Sequence, residues 1–280
     1  MDDVPREVTI ASEGLRLFGR WSEVANTAGA LVLLPGLGFH TFEYERLQTL
    51  LAERGRSSLA LDYRGHGRSG GPPGDWTLEL LVADVRAAVD WILARHVGPV
   101  ILLGNSLGAM AAVATANADA RVAAVVASNC PAHVGDFLMT PLRRALFAIA
   151  KLISLVLPLR ISVNHFYAYS DLIEDRALVD RIAQDDAIRK ARRLSVAAYR
   201  ALIDEWDGVR EVARLAKPLL LVQGSRDRLQ PPEQTDLLLD AAHEPKYRVR
   251  LATGHLPNLE RPDLLADAVL SWLPKIGLGP

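Results

Sequence analysis

The chain has a single cysteine, Cys130, among its 280 residues. One thiol cannot build an internal disulfide framework, so the fold must rest on its core, and this usage suits a reducing compartment. Neither sign of charge prevails: 32 Lys and Arg face 33 Asp and Glu, a formal net charge of −1. A basic excess that would point to nucleic acid is missing, and so is a run of like charges typical of an interaction tail. Long apolar runs are missing as well. The most apolar stretch, Ala145 to Leu159, is broken by Lys151 and Pro158 and is shorter than the ~20 residues of a membrane-crossing helix. The opening MDDVPREVTI is acidic and lacks a basic segment followed by an apolar one, so no secretory signal is expected there. The expectation is a soluble, cytoplasmic protein with no nucleic-acid partner and no integral membrane segment.

What is present is a core, since half the residues are hydrophobic. Strand-like and helix-like patterns alternate through most of the chain. Glu7–Ala11 and Leu15–Trp21 read as an antiparallel pair turned at Glu13-Gly14. Ala30–Leu34 is a continuous apolar run closed by Pro35-Gly36, the signature of a strand buried on both faces. A helical pattern from Phe42 to Arg54 follows, then a short strand at Ser58–Leu61, a helix at Leu78–Arg95 and a buried strand at Pro99–Leu103. A small-residue helix from Leu107 leads to a strand at Val122–Ser128. Late in the chain, strands at Pro218–Gln223 and Tyr247–Leu251 precede helical patterns at Pro232–Ala242 and Pro262–Trp272. Such alternation predicts a mostly parallel sheet covered by helices on both faces.

Residues 131–216 interrupt it. Only helical patterns appear there, so this stretch is expected to be a helical cap on a core formed by residues 1–130 and 217–280. Insertions at the C-terminal edge of a parallel sheet are where ligands bind.

Gly104-Asn105-Ser106-Leu107-Gly108 matches G-x-S-x-G. The pattern alone is weak, but here it follows a buried strand and precedes a helix of small residues. That is the setting of a nucleophile elbow, in which a tight turn lifts the serine hydroxyl above the sheet. The plainer alternative is a Gly/Ser turn with no chemistry. A serine hydroxyl needs a base beside it, and His255, after the strand Tyr247–Leu251, emerges at the same sheet edge. His40 and His66 in edge loops are its competitors. Asp227, just past the strand Pro218–Gln223, can hold the imidazole in the tautomer that accepts the serine proton. Its alternative role is that of a turn or capping residue, and its rivals are Asp62 and Asp136. A tetrahedral oxyanion would need donors, and the backbone N–H groups of Leu37 and Leu107 are the expected pair.

On these residues the chain resembles the α/β-hydrolase superfamily over nearly its full length. The order Ser106, Asp227, His255 is that of the superfamily. The loop Asp62-Tyr63-Arg64-Gly65-His66-Gly67-Arg68-Ser69 resembles the D-x-R-G-x-G-x-S loop that follows the fourth strand. The segment Phe42–Gly55 resembles the monoglyceride lipase, lysophospholipase and carboxylesterase branch. One departure is that the branch usually has His-Gly where this chain has Pro35-Gly36. Asn105 before the serine is shared with carbon–carbon bond hydrolases. The resemblance implies an eight-stranded, mostly parallel sheet with a helical cap inserted after the sixth strand.

It also implies hydrolysis of a small or acyl-chain carboxylic ester through an acyl-serine, with no metal and no organic cofactor. Carbon–carbon, thioester or amide hydrolysis, acyl transfer, and a slowly turning ligand receptor stay open. Epoxide hydrolases and haloalkane dehalogenases would need Asp at position 106. Candidate substrate-binding residues are Phe39 beside the oxyanion loop, His133 in the cap, and Phe147 and Ile153 in the segment Pro141–Leu159. That segment reads either as a helix buried between cap and core or as the wall of an acyl pocket.

Overall fold

Ala30–Leu34 forms a strand buried at all five positions, as a strand covered on both faces must be. It is the third of ten strands in a computed structural model that describes residues 5–279 apart from 26 and 28. Residues 1–4, on which part of the N-terminal expectation rests, lie outside the described residues. The strands are β1 (Arg6–Ser12), β2 (Leu15–Ser22), β3 (Ala30–Leu34), β4 (Ser57–Leu61), β5 (Val100–Asn105), β6 (Val122–Ser128), β7 (Arg160–Ser162), β8 (Arg193–Ser195), β9 (Leu219–Gly224) and β10 (Lys246–Leu251). Between them run α1 (Glu45–Glu53), α2 (Leu78–Leu93), α3 (Leu107–Ala118), α4 (Val134–Leu138), α5 (Pro141–Ile153), α6 (Arg176–Gln184), α7 (Asp186–Ala191), α8 (Val196–Arg200), α9 (Gly208–Ala213) and α10 (Pro232–Ala241). After β10 come α11 (Pro257–Glu260) and α12 (Pro262–Trp272).

Eight strands make one sheet in the order β1-β2-β4-β3-β5-β6-β9-β10. β1 with β2 and β2 with β4 are antiparallel; the remaining pairs are parallel. This is the α/β-hydrolase sheet. Side-chain alternation splits the core into two layers. Val32, Leu34 and Leu102 pack on one face with Leu81 and Val85 of α2 and Met110 of α3. Leu31, Leu33 and Leu103 pack on the other with Leu47 and Leu51 of α1 and Val269 of α12. From β3 the chain crosses one way to β4, and from β5 the other way to β6. The loops after β3 and β5 therefore flank a topological switch point, where open α/β sheets bind ligands.

Two features depart from the sequence reading. Within 131–216, β7 and β8 form a small antiparallel pair where only helices were expected. Strands of three residues are too short for alternation to register. The segment Pro141–Leu159 also differs: its helix, α5, starts under a Thr140 side-chain cap and ends at Ile153. Phe147 is its one buried residue, while Leu142, Leu146, Ile149, Leu152 and Ile153 are exposed. It is not a helix buried between two layers. Among the described residues no helix is long and apolar enough to cross a membrane.

Candidate active site

β5 ends in Gly104-Asn105, the chain turns on Ser106, and α3 begins at Leu107. Ser106 holds φ 53° and ψ −114°, a strained backbone for a residue with a side chain. Glycine flanks it by steric necessity. A Cβ on Gly104 would stand 2.1 Å from the Gly108 carbonyl carbon, and one on Gly108 would stand 2.0 Å from the Leu34 carbonyl oxygen. The Ser106 N–H donates to the Ser128 carbonyl at 2.9 Å, which ties the turn to the end of β6.

Asp227 follows β9 by three residues, and its two carboxylate oxygens make different contacts. Oδ1 accepts from the N–H groups of Leu229 at 2.8 Å and Gln230 at 2.9 Å, closing a turn. Oδ2 lies 2.6 Å from His255 Nδ1. The two side chains are buried, at 4% exposure for His255 and 3% for Asp227. An ionised carboxylate in this place takes the Nδ1–H and leaves the lone pair on Nε2. The two loops press together so closely that a Cβ on Gly224 would meet the Gly254 carbonyl at 2.0 Å.

Ser106 and His255 line one cavity of about 40 Å³ together with Leu37 and Leu107. Its apolar walls come from Met110 of α3, Val134, Phe137 and Leu138 of α4, and Leu202 and Leu229. Tyr167 and Gln230 add polar groups that no sequence motif marks. Among the described residues, the backbone N–H groups of Leu37 and Leu107 meet no hydrogen-bond acceptor. Both are free to donate.

The competitors stand elsewhere. His66 is buried with Nδ1 3.0 Å from the Arg64 carbonyl, and burial pulls it down to about 4. His40 has a carboxylate partner of its own, Asp185 Oδ2 at 3.0 Å, but it faces a different groove with Phe18 and Arg68. Asp62 staples a loop, accepting from Thr41 N–H at 2.6 Å and Arg68 N–H at 2.8 Å. Asp136 is exposed on α4.

The four candidate substrate residues do not line the cavity at Ser106. Phe39 packs with Leu172, Ile182 and Leu256 in a separate apolar cluster. His133 Nδ1 lies 4.0 Å from Asp207 Oδ1. Phe147 lines a second, larger cavity of about 290 Å³ with Ile161, Phe166 and Tyr199, and Ile153 is exposed. Helical periodicity marked α5 as apolar but could not say which way it faces.

Comparison with known proteins agrees with this architecture. A family model described as serine aminopeptidase, S33, matches residues 25–256. The monoglyceride lipase of Homo sapiens is 30% identical over 94% of this chain and 86% of its own. The monoacylglycerol lipase of Mycolicibacterium smegmatis is 29% identical over 93% of each. A crystal structure of Paleococcus ferrophilus monoacylglycerol lipase superposes with a TM-score of 0.75 at 23% identity, over 93% of this chain and 99% of that one. At that identity the shared property is the fold.

Proposed function

The chain belongs to the serine aminopeptidase S33 family of α/β-hydrolases, in its monoglyceride lipase branch, and on that premise we propose that it cleaves acylglycerol-like carboxylic esters through an acyl-serine. It is a carboxylic ester hydrolase. Ser106 is the nucleophile, His255 the general base and Asp227 the carboxylate that orients the imidazole. The observation that carries this reading is the shared cavity of Ser106 and His255, with the 2.6 Å His255–Asp227 contact behind it.

In this reading His255 Nε2 takes the Ser106 proton as Oγ attacks the ester carbonyl. The oxygen that becomes negative is met by the N–H groups of Leu37 and Leu107, while Asp227 stabilises the imidazolium. The tetrahedral adduct collapses, and the imidazolium returns its proton to the departing alkoxide. The alcohol leaves and Ser106 carries the acyl group. Water then attacks with His255 again as base, releasing the carboxylic acid and restoring the serine. No step needs a metal or an organic cofactor.

Residues 131–216 act as a cap over a core of residues 1–130 and 217–280. Support comes from α4, Tyr167 and Leu202, which wall the cavity from that insertion. The exposed apolar side of α5 suits a substrate presented in an apolar aggregate. The test combines labelling with a fluorophosphonate and turnover of 1-monoacylglycerol. Labelling lost in Ser106→Ala together with fatty-acid release by the wild type is expected. An unlabelled wild type would overturn the acyl-serine.

A further inference from the structure

Building on the acyl-serine reading, we propose that Glu43 is a positioning residue whose buried carboxylate, bonded to the Gly36 N–H, locks the oxyanion loop with the Leu37 N–H facing the substrate. Glu43 is the third residue of a one-turn 3₁₀ helix, Thr41–Tyr44, and is 1% exposed. Its Oε2 accepts from the Gly36 N–H at 2.9 Å. On the other side of the same residue, the Gly36 carbonyl accepts from the Phe39 N–H at 3.0 Å.

That pair of bonds matters because of what Gly36 is. Without a side chain, glycine passes readily between backbone conformations, so the peptide linking Gly36 to Leu37 could rotate. A trans peptide is planar, with its C=O and N–H pointing in opposite directions. Fixing the Gly36 carbonyl toward Phe39 therefore fixes the Leu37 N–H on the opposite side. Glu43 holds the preceding peptide. With both bonds in place the loop has one orientation before substrate arrives, and preorganised donors are worth most in a site that excludes water.

Glu43 also touches the helix that follows the proposed base, through its backbone. A Cβ on Gly36 would stand 3.5 Å from Glu43 Oε1 and 3.7 Å from Asn105 Nδ2, so both side chains approach Gly36. Asn258, on the helix just after His255, donates from Nδ2 to the Glu43 carbonyl at 3.4 Å. Among the described residues Oε1 has no hydrogen-bond partner. Burial without full pairing is costly for a carboxylate and pushes Glu43 up to about 7, against the opposing pull of the Gly36 N–H. An apolar residue would fill this space at lower cost, and what it would lack is the acceptor for Gly36.

The experiment compares Glu43→Gln, which keeps an acceptor oxygen, with Glu43→Ala and the volume-filling Glu43→Met, which do not. kcat and KM are measured on a p-nitrophenyl ester, and paraoxon inactivation rates are measured beside them. Paraoxon attack places a phosphoryl oxygen in the same hole without requiring the natural substrate. Glu43→Ala and Glu43→Met should lose about 30- to 300-fold in kcat, comparable to losing an oxyanion donor, with KM within about threefold and paraoxon slowed in proportion. Glu43→Gln should recover most of that loss. Should Glu43→Ala fail to fold, Glu43→Met carries the same comparison. Wild-type kcat and inactivation rates in a folded variant without the acceptor overturn the proposal. So does an equal kcat loss in Glu43→Gln. A wild type inert to paraoxon would instead undo the acyl-serine reading on which the proposal rests.

Discussion

The side chain of Asn129 donates from Nδ2 to the backbone carbonyl of His255 at 2.8 Å, and its Oδ1 accepts from the Gly224 N–H at 2.9 Å. One amide thus joins the end of β6 to the loop that carries the proposed base and to the strand end that leads to Asp227. Asn129 sits at φ 42°, a conformation asparagine tolerates better than most side chains. Asn129→Ala leaves a buried N–H and a buried C=O unpaired, and should cost about 2–4 kcal/mol of stability. Loosening His255 should also lower kcat about tenfold. Urea unfolding and steady-state kinetics on the same preparation check both. A stable variant with wild-type kcat would show that other contacts suffice to hold the histidine.

The proposed triad makes a sharper demand. Ser106→Ala and His255→Ala should each lower kcat by about 10⁴–10⁶, and the double variant by little more, because such residues act as a unit. Asp227→Asn should cost less than removal of the serine, although it disturbs the 2.6 Å contact with Nδ1. Additive losses in the double variant would mean that the residues act separately.

The elbow glycines offer a prediction about folding. Gly108→Ala drives a methyl to 2.0 Å from the Leu34 oxygen, so β3 and α3 must separate. A loss of more than about 3 kcal/mol is expected, read as a fall in the melting temperature or in soluble yield. Gly70→Ala, whose nearest neighbour would be an ordinary 3.5 Å away, should stay within about 1 kcal/mol of wild type. Equal stability of the two variants would contradict the steric account.

The sheet was legible because its strands are pure. Ala30–Leu34 and Val122–Ser128 have the bounds read from their apolar runs. Ser106, Asp227 and His255 could be singled out because each follows such a strand at the same sheet edge. Glu43, Asn129 and Gln230 were not legible. Glu43 bonds to Gly36, Asn129 to His255 and Gln230 to the Cys130 carbonyl, contacts 7, 126 and 100 positions apart that no local pattern records. That Phe39, His133, Phe147 and Ile153 lie away from the cavity at Ser106 was not legible for a related reason. An apolar helix has to face something, but periodicity does not name the partner, and α5 turns most of its apolar residues outward.

Acid should weaken the fold partly through His66. Burial holds this imidazole down to about 4, against about 6.5 in an unfolded chain. Between those values the unfolded chain binds a proton that the native state refuses, so stability falls as pH drops from about 6.5 to 4. Glu43 acts with the opposite sign. Its carboxyl is raised to about 7, so the native state holds its proton longer, and stability from this group falls as pH rises from about 4.5 to 7. His66→Phe should remove up to about 1.4 kcal/mol per pH unit of acid sensitivity, seen in urea midpoints at pH 5 and 7. An unchanged slope would mean that His66 is not buried neutral.

The last prediction concerns which residues set acyl-chain preference. Phe147 lies 5.9 Å, centroid to centroid, from the Tyr199 ring in the larger cavity, while Val134 and Leu202 wall the space at Ser106. Each buried methylene is worth about 0.8 kcal/mol, so kcat/KM on p-nitrophenyl esters should climb severalfold for each two carbons beyond acetate until the space is full. Val134→Trp and Leu202→Trp should remove that climb and cut hexanoate turnover by about tenfold or more, while acetate stays within about threefold. Ile153→Asp, on the exposed side of α5, should leave the chain-length profile of soluble esters unchanged. If Ile153→Asp reshapes the profile and Leu202→Trp does not, the acyl group sits along α5 and the walls have been assigned to the wrong cavity.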